Sequence, residues 1–180
     1  VLLACLVGCC LSTAGAAYQG VFQNPMAAPD ILGASAGAAF GAALAILHHG
    51  SSTVITLSAF CFSLLTVAIV FFISKKAKGK AVIGLILAGI MVKSLFSAGT
   101  SFIKLVADPN DQLPAITFWL LGSFSSITKN SMMLSVPLIL AGTVLIFLLR
   151  FRLNALSLPE EEARSLGVNL KLIRVLVVAA

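Results

Sequence analysis

Charge is what this sequence has least of. Only 10% of its 180 residues are Asp, Glu, Lys or Arg, against 59% hydrophobic, and the mean hydropathy is +1.09. A water-soluble domain of this size could not cover so much apolar surface, so soluble enzymes and soluble binding modules are excluded. A GxxxxGK[ST] phosphate loop is missing, and with it any nucleotide site of that kind. Cysteine is scarce and unpatterned: Cys5, Cys9, Cys10 and Cys61 lie in apolar segments without CxxC or Cys/His spacing. They are expected to pack as small apolar residues, with no disulfide framework, zinc site or other cofactor. No loop is long enough to hold a core of its own, so one transmembrane domain over residues 1–180 is expected.

What the sequence does contain is a series of uncharged runs. Val54 to Ile73 and Ser131 to Leu149 carry no charged residue, and each approaches the roughly 20 apolar residues that cross a bilayer. The runs predict helices at Val1–Ala17, Ala34–Leu47, Val54–Ile73, Ala81–Val106, Pro114–Phe124 and Val136–Leu149, with a last one starting near Leu170. The chain starts inside one apolar run and stops inside another, so the expectation is an all-α, polytopic transmembrane helical bundle, incomplete at both ends. A net charge of +6 does not point to nucleic acid, because the basic residues flank hydrophobic segments. By the positive-inside rule, the Lys75 to Lys80 loop and the Arg150–Arg152 segment face the cytoplasm. Parity then puts His48–His49–Gly50 outside and the Gln19 to Asp30 island at the inner face. It also requires the short Pro114–Phe124 helix to dip in from the outer face without crossing.

Three features invite a functional reading. Gly33, Gly37 and Gly41 form two GxxxG steps, which predict a flat face for close helix packing. Within Ala81–Val106, the residues Gly89, Lys93, Ser97, Thr100 and Lys104 recur at steps of three and four and share one side. Lys93 sits near mid-helix, where a lysine costs about 2.5–3.5 kcal/mol to insert. Either Lys93, Ser97 and Thr100 line a translocation pathway, with Lys93 attracting an anionic chelate, or Lys93 pairs with bundle carbonyls or snorkels to an edge. The third feature is Leu153 to Asn169, which reads as a short capped helix at the cytoplasmic face. Ser157 or Pro159 opens it, Glu160, Glu161 and Glu162 suit its N-terminus, and Gly167 closes it. His48 and His49 lack further donor groups nearby and are read as turn residues.

Two islands carry a family resemblance. The stretch from Ala14–Gly15 through Gln19, Asn24–Pro25, Pro29 and Leu32–Gly33 to Ser35 and Gly37 resembles the "AGxxxQxxxxNPLAxPxxLGxxxGA" pattern of FecCD-type permeases, departing only by Met26 for leucine. These proteins import iron-siderophore, heme and cobalamin complexes. Leu153 to Asn169 resembles the family's "LNxLxLGEexAxxLGxxv" segment, with Pro159 in place of glycine, and Phe118 to Ser125 resembles its "WLLGSLSG" element.

The resemblance implies a type II ABC importer permease-like bundle, of which this chain covers roughly helices two to seven. It implies a multi-pass protein of a prokaryotic cytoplasmic membrane, surrounded by lipid. Its partners would be a second permease subunit, in a homodimer or a pseudo-symmetric heterodimer, cytoplasmic ATPase subunits and an extracytoplasmic substrate-binding protein, with no nucleic acid. Region 157–169 would be the coupling helix, with Ser157, Glu160, Glu161, Glu162, Ala163, Arg164, Leu166 and Gly167 engaging the ATPase. Such a permease is not itself an enzyme. A secondary transporter or channel that needs no ATPase is the alternative; a mere membrane anchor would have no reason to carry the polar stripe.

Overall fold

The computed structural model describes residues 1–76, 81–123, 129–151, 153, 173 and 176–177. Among them the regular structure is helical: α1 Leu2–Phe22, α2 Ala34–Leu47, α3 Ser52–Lys76, α4 Ala81–Val106, α5 Gln112–Leu121 and α6 Lys129–Leu148. Three helices, α1, α3 and α4, are long and apolar enough to cross a membrane. Several of their hydroxyl groups are turned back onto their own backbone. Thr13 donates to the Cys9 carbonyl at 2.8 Å, Thr66 to Phe62 at 2.7 Å and Ser94 to Ile90 at 2.9 Å. A side chain that satisfies itself four residues back needs no water, which suits a helix in hydrocarbon.

The chain divides into two compact units, one of Val1–Pro29 with Met133–Ala180 and one of Asp30–Met132. In the first, α1 buries Ala17, Tyr18, Val21 and Phe22 near its C-terminal end, where the Tyr18 and Phe22 rings meet edge-on at 5.7 Å. The helix runs five residues past the expected Ala17 into the polar island and stops at Gln23, whose left-handed φ of 48° breaks the ladder. Asn24 then folds the chain, its side-chain oxygen accepting from Met26 N–H and its carbonyl from Ala27 N–H. At the other end of this unit, the Arg150 guanidinium lies 4.3 Å from the Phe147 ring and 4.8 Å from the Phe151 ring, a cation over aromatic faces. α6 begins seven residues before the expected Val136 and keeps Pro137 inside it.

The second unit is built on α2. Its Gly37 and Gly41 face α3 so closely that a methyl group at either would run into Thr66, Phe62 or Ser58. The Ser58 hydroxyl donates to the Gly41 carbonyl at 2.7 Å, tying the two helices across that contact. Phe40, Phe62 and Phe96, one each from α2, α3 and α4, pack with ring centroids 5.3–6.5 Å apart in edge-to-face geometry. Toward the other end of α2, Ala43, Ile46, Ile103, Ala107 and Ile116 form a buried cluster that joins α2, α4 and α5. The expected glycine face is therefore shorter than its spacing suggests. Gly33 is not on the helix: it is the residue before Ala34, at φ 75°, and it touches α4 rather than α3.

α5, at 10 residues, spans about 15 Å, half of a bilayer's hydrocarbon. Gln112 ties it to the α2–α3 turn: its Oε1 accepts from Asp108 N–H at 3.1 Å, and its Nε2 donates to the Leu47 carbonyl at 3.0 Å. The same Nε2 is 3.1 Å from His49 Nε2, while His48 Nδ1 is 2.9 Å from the Leu44 carbonyl. The His48 ring stays within its own turn, whereas the His49 ring meets α5. Gln112→Leu removes these bonds, including the part-buried one to the Leu47 carbonyl; a loss of about 0.5–1.5 kcal/mol is expected, read as a melting temperature below that of the parent in detergent.

Candidate translocation site

α2 is only 14 residues long, about 21 Å, so a helix that reaches one membrane face cannot reach the other. Its start is fixed by the turn Asp30–Gly33. The Asp30 carbonyl accepts from Gly33 N–H at 3.0 Å, and Asp30 Oδ1 accepts from Ser35 N–H at 2.9 Å. The carboxylate thus satisfies an otherwise unpaired amide of the first helical turn and lies at the positive end of the helix dipole. Gly33 is required by its left-handed φ and by proximity: a Cβ there would stand 2.9 Å from the Lys93 Cβ.

The partner surface is the middle of α4. Gly89 leaves room for the Ile31 carbonyl and the Leu32 Cα, and one turn later Lys93 extends its ammonium to Asp30 Oδ2 at 2.6 Å. Lys93 is 12 positions into a 26-residue helix, so this ion pair sits about 18 Å from one end of α4 and about 20 Å from the other. The end of the polar island therefore reaches the centre of α4, where parity alone would have left it at the inner face. The side chains of Lys93 and Asp30 are 49% and 32% exposed in this chain, so the pair lies at the rim of the unit rather than in its core.

The remaining stripe residues separate. Gly89 and Thr100 belong to the packed side of α4; Thr100 is 8% exposed and its hydroxyl donates to the Phe96 carbonyl at 2.9 Å. Ser97 is exposed, and its carbonyl accepts the Ser101 hydroxyl at 3.0 Å. The stripe follows the edge of the helix contact, half inside and half out. Of the island residues, Gln19 lies in the last turn of α1 and its carbonyl accepts from Asn24 N–H at 3.2 Å, while Pro29 packs near Gly15. Pro25 occupies the turn after Asn24. Ser157, Glu160, Glu161, Glu162, Ala163, Arg164, Leu166 and Gly167 lie outside the described residues. No group of three or more His, Cys, Asp or Glu converges among the described residues.

Sequence reasoning missed Asp30. The signal was present: Asp30 is the only Asp, Glu, Lys or Arg in the first 74 residues, and Lys93 is the only one between Lys80 and Lys104. Two solitary opposite charges in apolar surroundings are natural partners.

All 180 residues match the FecCD transport family. The chain belongs to that family. FecCD relatives include the molybdate import system permease protein MolB of Haemophilus influenzae, 38% identical across 99% of this chain and 53% of MolB. A probable iron chelatin transport system permease protein of Helicobacter pylori is 36% identical across 97% of this chain and 52% of its own length. A solved metal-chelate type ABC transporter in an inward-facing conformation superposes with a TM-score of 0.90 at 37% identity, covering 96% of this chain and 55% of that one. This FecCD chain spans about half the length of the curated relatives it matches.

Proposed function

We propose that this chain forms part of the membrane-spanning permease subunit of a binding-protein-dependent ABC importer, which moves a metal chelate across a prokaryotic cytoplasmic membrane. The observation that carries this reading is the match along the whole chain, in sequence to the FecCD family and in fold, at a TM-score of 0.90, to a metal-chelate type ABC transporter. An iron-siderophore complex is the cargo we favour. The names of similar proteins span molybdate and iron chelatin, so the shared chemistry is a compact metal complex or oxyanion. Energy comes from separate ATPase subunits, and an extracytoplasmic binding protein delivers the cargo to a permease dimer.

In this reading the cargo passes along the rim of α4. Lys93 and Ser97, exposed on that helix, border the route, and Thr100 supports the wall from behind through its contact inside the packed face. ATP-driven closure of the ATPase pulls on the 157–169 segment, and the spans reorient around the cargo in alternating access. The test is uptake of labelled ferric siderophores, heme, cobalamin and molybdate by cells carrying the full-length parent and by cells lacking it. Loss of one cargo's uptake on deletion, restored by the parent, is expected. Uptake of all four unchanged by deletion would count against the importer.

A further inference from the structure

The importer reading leaves Asp30 without a role, yet both of its carboxylate oxygens are engaged, one by the start of α2 and one by Lys93. Lys93 is also held at its base, because its Cβ rests against Gly33. The ammonium is therefore tethered at both ends of its side chain. A lone lysine and a lone carboxylate at this height in a membrane are each costly, and together they present no net charge. The carboxylate also lies at the positive end of the α2 dipole, where a negative charge is favoured.

We infer that Asp30 is a positioning residue that commits the Lys93 ammonium to the start of α2. It pins that helix to the middle of α4 and leaves the route beside it without net charge at this height. This inference rests on the importer reading for the meaning of the route, but the pin itself is a property of residues 30–35 and 89–93. Gly89 belongs to the same device, since its missing side chain lets the Ile31–Leu32 backbone approach closely enough for the pair to form.

The experiment uses the full-length parent in detergent. Melting is measured for the parent, Asp30→Asn, Lys93→Met and the double variant. Each single change strands one charge, so each is expected to lower the melting temperature more than the double does. In parallel, acetylation of the Lys93 amine by a water-soluble succinimidyl ester is followed by peptide mass spectrometry. Its rate is expected to rise about tenfold in Asp30→Asn, as a charge-assisted bond is lost, and to stay near the parent's in Asp30→Glu. Additive melting changes, with equal acetylation in parent and Asp30→Asn, would overturn the inference. Neither measurement uses a cargo, so failure of the pin and failure of the importer reading are separate results.

Discussion

Gly37→Leu is expected to stop the second unit from assembling. A Cβ on Gly37 would fall on the Thr66 hydroxyl, 2.7 Å from the Phe62 carbonyl and 2.9 Å from the Thr66 Cβ. Thr66 and Val70 are both fully buried on α3. None of these atoms is the loose end of a flexible side chain, so α2 and α3 must separate. Overpacking a close contact costs about 1–3 kcal/mol where neighbours can shift, and more where the obstruction is backbone. Separation would also break the Ser58 bond to Gly41 and disperse the Phe40–Phe62–Phe96 cluster. The measurement is the yield of monodisperse full-length protein in detergent. Gly8→Leu is the control, because nothing lies within 4 Å of a Cβ at Gly8. Equal yields for the two variants would refute the packing account.

The second large effect concerns function and leaves assembly intact. Reversing Glu160, Glu161 and Glu162 to lysine is expected to abolish uptake of the cargo while the permease still inserts. In the proposed coupling helix three acidic residues would match the dipole of its first turn, and three basic ones would oppose it by about 0.3–1 kcal/mol each, too little to unfold a bundle but enough to turn the proposed docking surface repulsive. Copurification of the ATPase with the tagged parent, compared with the reversed variant, reads the effect directly. Retained ATPase binding and uptake would remove the coupling role from this segment.

Helix limits were legible where the sequence punctuates them. Ala34–Leu47 and Ala81–Val106 have the expected limits, since a glycine or a basic loop marks their ends. The ends of α1 and α6 were not, because Tyr18 to Phe22 and Lys129 to Ser135 continue helices through residues that read as polar or mixed. Backbone geometry decided there, in the left-handed Gln23 and in a proline tolerated within the helix. The glycine spacing announced close packing but not its partners: Gly37 and Gly41 meet α3, whereas Gly33 caps α2 against α4. The period groups the polar stripe on one arc of α4, but a period cannot say where a neighbour ends. Thr100 falls inside the contact and Ser97 outside it. Lys93 was singled out by its cost, while its partner lay 63 positions away in a segment whose interest came from a family pattern rather than from charge.

That separation has a consequence for biosynthesis. Asp30 leaves the ribosome 63 residues ahead of Lys93. At about 5–20 residues per second, roughly 3–13 s pass before its counter-ion exists. During that interval the nascent chain carries a carboxylate without its lysine partner at the head of a helix too short to span. The contact that ties the start of the second helix to the middle of the fourth can therefore form only after the fourth has been made.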